Sequence, residues 1–170
     1  LGLVTGMLFQ TPELQLMKEA SDKRAKNSDV SDAVSGWFEG RTSLDVLDLH
    51  AGTGATLRAL APILADDQAW THYARDAAEV ALARDHLTRW APAARVTEDG
   101  LLIERQGQKI AVCFKLHDVV AAGGAPAEPV PALVVIDDDL MRYPAAVIRK
   151  LVGFLADRRA AMHARLVYDG

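Results

Sequence analysis

Residues Leu44–Leu60 read LDVLDLHAGTGATLRAL, a compact apolar run that enters a glycine turn and leaves it as helix-spaced leucines. Leu44–Leu49 has the length and composition of a buried strand. His50–Gly54 is a tight turn with G-x-G at Gly52 and Gly54, and Leu57, Leu60 and Leu64 recur at helical spacing over Ala55–Leu64. Glycines let a ligand approach the backbone closely. The first N–H groups of the following helix point to the same place. In open α/β sheets, ligands bind beyond the carboxyl ends of the strands, where the strand order reverses.

Working outward, Ala69–Ala74 is a second strand. Asp76 and Glu79 form a D-x-x-E capping box for a helix carrying Val80, Ala83 and Leu87 on one face and ending before Pro92. Leu101–Leu116, LLIERQGQKIAVCFKL, is two β-prone runs around Gln106-Gly107 and predicts a hairpin. Residues 121–131 hold two glycines and three prolines and read as a loop. Leu133–Ile136 is a short apolar strand, Pro144 opens a helix over 144–156, and Arg165–Tyr168 is a last strand. Towards the N-terminus, residues 11–39 read as helical, with a shorter helix from Asp29 or Ser31 to Phe38. The alternation of strand and helix predicts an α/β fold: a doubly wound, mostly parallel sheet with helices on both faces. A β-hairpin insertion and an N-terminal helical arm over 1–40 complete it.

Among the 170 residues half are hydrophobic, a quarter are charged and the net charge is −4, so nothing in the balance gives the basic face of a nucleic-acid binder. The single cysteine, Cys113, forms no internal disulfide and points to a reducing, cytoplasmic setting. No apolar run approaches the roughly 18–20 residues that span a bilayer. Leu1–Phe9 is apolar but lacks the basic flank of a signal peptide.

The glycine turn admits few chemistries. No Gly-Lys-Ser/Thr follows it, which removes a P-loop, and Leu57 stands where a dinucleotide fingerprint wants its third glycine. The stretch VLDLHAGTGA resembles motif I of the class I S-adenosylmethionine-dependent methyltransferases, D-x-G-x-G-x-G. It matches at Asp48, Gly52 and Gly54, with His50 at the first glycine. The resemblance implies a Rossmann-like domain over 41–170, S-adenosyl-L-methionine as cofactor, and Asp48, His50, Ala51, Gly52, Thr53 and Gly54 around it. It extends to Gln68–Arg84, which is similar to the second strand and helix of a bacterial subgroup. There an acid at the strand end binds the ribose hydroxyls, often in a D-x-D pair; Ala74 falls at the first acid and Asp76 at the second. Capping its helix is the other reading of Asp76. The segment Lys115–Val119 resembles the family's third strand, which implies that Asp118, with Val119 beside it, meets the adenine amino group. Met17–Lys26 resembles the helix before motif I, with Asp22 and Lys26 at its polar positions.

Methyl transfer is an in-line displacement in which the protein aligns nucleophile and methyl group and excludes water. A base is needed only where the nucleophile must lose a proton. Asp137, Tyr143 and His117 are the candidates. The acidic run Asp137-Asp138-Asp139, with Asp169, reads either as a hard-cation site or as solvated and helix-capping carboxylates; no metal is expected. His72, His86 and His163 read as surface residues, and Cys113 as a packed side chain. The residues give five strand positions, where the resemblance implies seven. The last two strands are therefore expected to be missing, and a homodimer is one way to cover the edge they leave. The methyl acceptor is not legible. Two further readings stay open: a non-catalytic, degenerate methyltransferase-like binding module, and a nicotinamide-dependent enzyme.

Overall fold

The structure is a computed structural model that describes residues 28–123, 131–136, 143–158 and 161–164. In chain order these form α1 (Ser28–Trp37), β1 (Ser43–Asp48), α2 (Ala55–Leu60) with a 3-10 turn at Ala61–Ile63, and β2 (Asp67–Ala74). Then come α3 (Ala77–Trp90), β3 (Arg95–Val96), β4 (Gly100–Arg105), β5 (Gln108–Leu116), β6 (Leu133–Ile136), α4 (Ala145–Arg158) and β7 (Ala161–Ala164). The fold is α/β, with the seven strands of the described residues in one mixed sheet of order β3-β4-β5-β2-β1-β6-β7. The block β5-β2-β1-β6-β7 is parallel, and β3 and β4 add to its edge antiparallel.

Strand periodicity explains the layers. Along β1, Leu44 and Val46 pack on one face of the sheet, and Leu47 and Leu49 on the other. In β6, Leu133 and Val135 join the first face and Val134 and Ile136 the second; all four are buried, as a strand covered on both faces requires. The first face carries Leu57 and Leu60 of α2 and Leu87 of α3, with Phe38 just past α1; the second carries Val147 and Leu151 of α4. Helices therefore lie on both faces, as the alternation predicts.

Several expectations are refined. The hairpin turn sits at Gln106-Gly107, with φ of 52° and 87°, the pair of positive angles that a two-residue hairpin turn needs. Its second arm is no insertion, however. β5 runs parallel to β2 from Asp67↔Lys109 to Ala74↔Leu116 and is the third strand of the parallel block. The helix after the glycine turn ends at Leu60 rather than Leu64, because Pro62 has no N–H to continue the ladder and the chain tightens into a 3-10 turn. The two-residue β3 is too short to leave a periodic signal. The strand after α4 lies at Ala161–Ala164, ahead of the expected Arg165–Tyr168, which falls outside the described residues. So do the expected helix before residue 28, Asp22, Lys26, the acidic run Asp137–Asp139 and Asp169.

The sheet order positions the site. From β1 the chain steps to β2 and then β5 on one side, and returns to β6 on the other. The carboxyl end of β1 is thus where the order reverses, and the glycine turn stands there.

Candidate functional site

The turn is pinned by its neighbours. Leu49 N–H donates to Val135 O at 3.0 Å and Ala51 N–H to Tyr73 O at 2.8 Å, which ties the backbone to β6 on one side and β2 on the other. Gly54 N–H closes the turn on Ala51 O at 2.7 Å. Arg58, one turn into α2, holds Thr53 O at 2.6 Å and reaches Thr53 Oγ1 at 3.5 Å. Both glycines are left-handed, with φ of 49° at Gly52 and 73° at Gly54. Their surroundings differ. A Cβ on Gly54 would stand 2.9 Å from the Leu87 side chain, so this glycine lets α3 pack against the turn. A Cβ on Gly52 would meet the His50 ring at an ordinary 3.6 Å.

Asp48 lies beneath the turn, fully buried. Its Oδ1 accepts from His50 N–H at 3.0 Å, and its Oδ2 is 3.1 Å from His72 Nδ1, in contact but off the line of a hydrogen bond. His72 is also fully buried, which corrects the surface placement expected for it. The reason is the strand period. Gln68, Trp70, His72 and Ala74 all face the helices, and the His72 ring lies 5.7 Å from both the Trp70 and Phe114 rings. Among the described residues its Nε2 has no hydrogen-bond partner.

The start of α3 meets the turn through one carboxylate. Asp76 is the N-cap, with Oδ1 accepting from Glu79 N–H at 2.9 Å, as the capping box predicts. The Glu79 side chain does not complete that box by returning to the Asp76 backbone. Its Oε2 accepts from Arg75 N–H at 2.9 Å and Arg75 Nε at 3.1 Å, while its Oε1 accepts from Gly52 N–H at 2.9 Å and lies 3.2 Å from His50 Nε2. Glu79 is buried to 4% side-chain exposure, whereas His50 keeps 18%. Sequence reasoning gave Glu79 only its capping role; the D-x-x-E spacing was the available signal, and what it touches depends on the tertiary approach of α3. Ala74, expected at the ribose-binding position, is packed against Ala51 and Ala83. A carboxylate at position 74 would point into that apolar cluster.

The end of β5 lies alongside. His117 N–H donates to Ala74 O at 2.8 Å and its ring stands 5.0 Å from that of Tyr73. Asp118 closes a turn, with Oδ1 accepting from Val120 N–H at 2.9 Å and Ala121 N–H at 3.0 Å. Val119 is buried in one cluster with Leu49, Tyr73 and Tyr143. Tyr143 itself is a packed core residue at 7% exposure. Asp48, His50, Ala51, Gly52, Thr53, Gly54 and Asp76 are thus gathered around one turn, with His117, Asp118 and Val119 at the adjacent strand end. Asp137 lies outside the described residues. Among those residues, no three or more His, Cys, Asp or Glu side chains are grouped to hold a metal ion, and no helix is long and apolar enough to cross a membrane.

Two open concavities lie elsewhere. One is lined by Ser43, Asp67 and Lys109 at the amino ends of the parallel strands, the other by Phe38, Arg41 and Asp66. Neither is at the carboxyl edge where a sheet of this order places its ligand. Comparison of the chain with protein-family models, curated sequences and solved structures returns no match.

Proposed function

We propose that this chain is a Rossmann-like domain that binds S-adenosyl-L-methionine and serves methyl transfer. The observation that carries the reading is the glycine turn at the point where the parallel strand order reverses, on the carboxyl side of β1. Asp48 under the turn and Asp118 at the end of β5 support it, since Asp118 spends Oδ1 on its own turn and leaves Oδ2 for a ligand amino group. Asp118 fits the adenine side of such a cofactor. The residues do not fit its ribose side in the usual way, because Ala74 is packed and both Asp76 and Glu79 are engaged.

The cofactor, when bound, supplies an activated methyl group. The chain's part is then to orient it against an acceptor and keep water out. His117, half-buried at the carboxyl edge, is the described side chain best placed to take a proton from an acceptor. Calorimetric titration with S-adenosylmethionine and S-adenosylhomocysteine tests the reading; saturable binding is expected, and no binding at millimolar ligand would sink it.

The packed Ala74 and the engaged Glu79 favour a second reading, a non-catalytic module that keeps the fold for partner binding. Cofactor binding together with turnover on any substrate pool would remove it. A nicotinamide enzyme is less well supported, because a carboxylate stands at the turn where a pyrophosphate would lie.

A further inference from the structure

Three N–H donors from two segments converge on Glu79, namely Gly52 N–H, Arg75 N–H and Arg75 Nε, and His50 Nε2 lies 3.2 Å from it. A backbone N–H in a glycine turn beside a guanidinium is the donor set that proteins use to hold a phosphate or a carboxylate. Here the anion is part of the chain. It reaches the turn from the first turn of α3 and is almost wholly buried, with Oε2 accepting two hydrogen bonds and Oε1 accepting one beside the His50 ring. A carboxylate so saturated has little left to offer a ligand hydroxyl.

Resting on the site proposed above, we propose that Glu79 is a built-in anion that makes this glycine turn selective against phosphate-bearing ligands. It fills the one position where Gly52 could receive a phosphoryl oxygen, and its charge repels a second anion brought close in a poorly solvated place. A cationic or neutral ligand passes without displacing it. Pyrophosphate cofactors and nucleoside di- and triphosphates must either break four contacts or place like charges together. Removing the carboxylate inverts the site, since Gly52 N–H and Arg75 N–H are left facing an empty anion position.

The test uses the whole chain and two probes, ADP-ribose and S-adenosylhomocysteine, titrated into wild type, Glu79→Ala and Glu79→Gln, with circular dichroism to show that each variant is folded. Wild type is expected to ignore ADP-ribose at millimolar concentration. Glu79→Ala is expected to bind it at least about ten-fold more tightly, the least that one recovered charge-assisted hydrogen bond is worth. Glu79→Gln, which loses the charge and keeps an acceptor, is expected to fall between. The proposal is overturned if wild type binds ADP-ribose as tightly as the variants, or if folded variants bind it no better than wild type. Should both variants fail to fold, the Gly52 amide resonance of wild type decides: no shift in millimolar inorganic phosphate is expected, and a saturable shift overturns the proposal. S-adenosylhomocysteine binding to wild type reports separately on the proposed function, so the two ideas fail independently.

Discussion

Asp48 and His72 form a fully buried pair under the turn, with the His72 ring lying against Trp70 and Phe114. Removing the imidazole leaves both a void and a buried carboxylate without its neighbour. His72→Ala is therefore expected to lower unfolding stability by about 3–5 kcal/mol in a urea titration. Asp48→Asn, whose Oδ1 still accepts from His50 N–H, is expected to cost less. An equal loss from both would show that the pairing, and not the ring's packing, matters. Gly54 carries a different constraint. Its φ of 73° and the 2.9 Å approach of Leu87 oppose any side chain, so Gly54→Ala is expected to cost about 2–4 kcal/mol. A variant as stable as wild type would mean that α3 packs less closely on the turn. Much at this scale was legible. The G-x-G spacing located the turn and D-x-x-E located the cap. What the residues did not disclose was that Glu79 would leave its own helix for Gly52, because the distance between α3 and the turn is set by the packing of Leu87. His72 was misplaced although the signal existed, since it shares the two-residue period of Trp70 and Ala74.

At the scale of elements, the boundaries that carry local chemistry were the readable ones. Asp76 starts α3 one residue before Ala77, Gln106-Gly107 turns the hairpin, and Leu133–Ile136 is a strand throughout. Elements defined by partners were not readable. β5 looks like one arm of a hairpin, yet its parallel pairing with β2 makes it a member of the central block, and nothing in QKIAVCFKL distinguishes the two. The cap on α3 gives a prediction at this scale. Asp76→Ala leaves the Glu79 N–H without its acceptor and is expected to cost about 1 kcal/mol. It should also speed hydrogen exchange at the first amides of α3. Unchanged exchange there would mean that the Glu79 contacts with the turn hold the helix start without the cap.

Over the whole molecule, strand–helix alternation implied parallel strands covered on both faces, and the two larger core clusters meet that expectation. The strand order was not legible, because it depends on which side of β1 the chain returns to after β5. That return creates the reversal at the carboxyl end of β1, where the glycine turn stands. Two open concavities, by contrast, lie at the amino ends of the strands and beside Phe38. The most direct measurement is therefore a map of amide shifts in the nitrogen–proton spectrum as S-adenosylhomocysteine is added. Saturable shifts at Ala51–Gly54 and at His117–Val119, with Ser43, Asp67 and Lys109 unmoved, are the predicted result. Shifts confined to the amino ends of the strands, or none at millimolar ligand, would contradict the account.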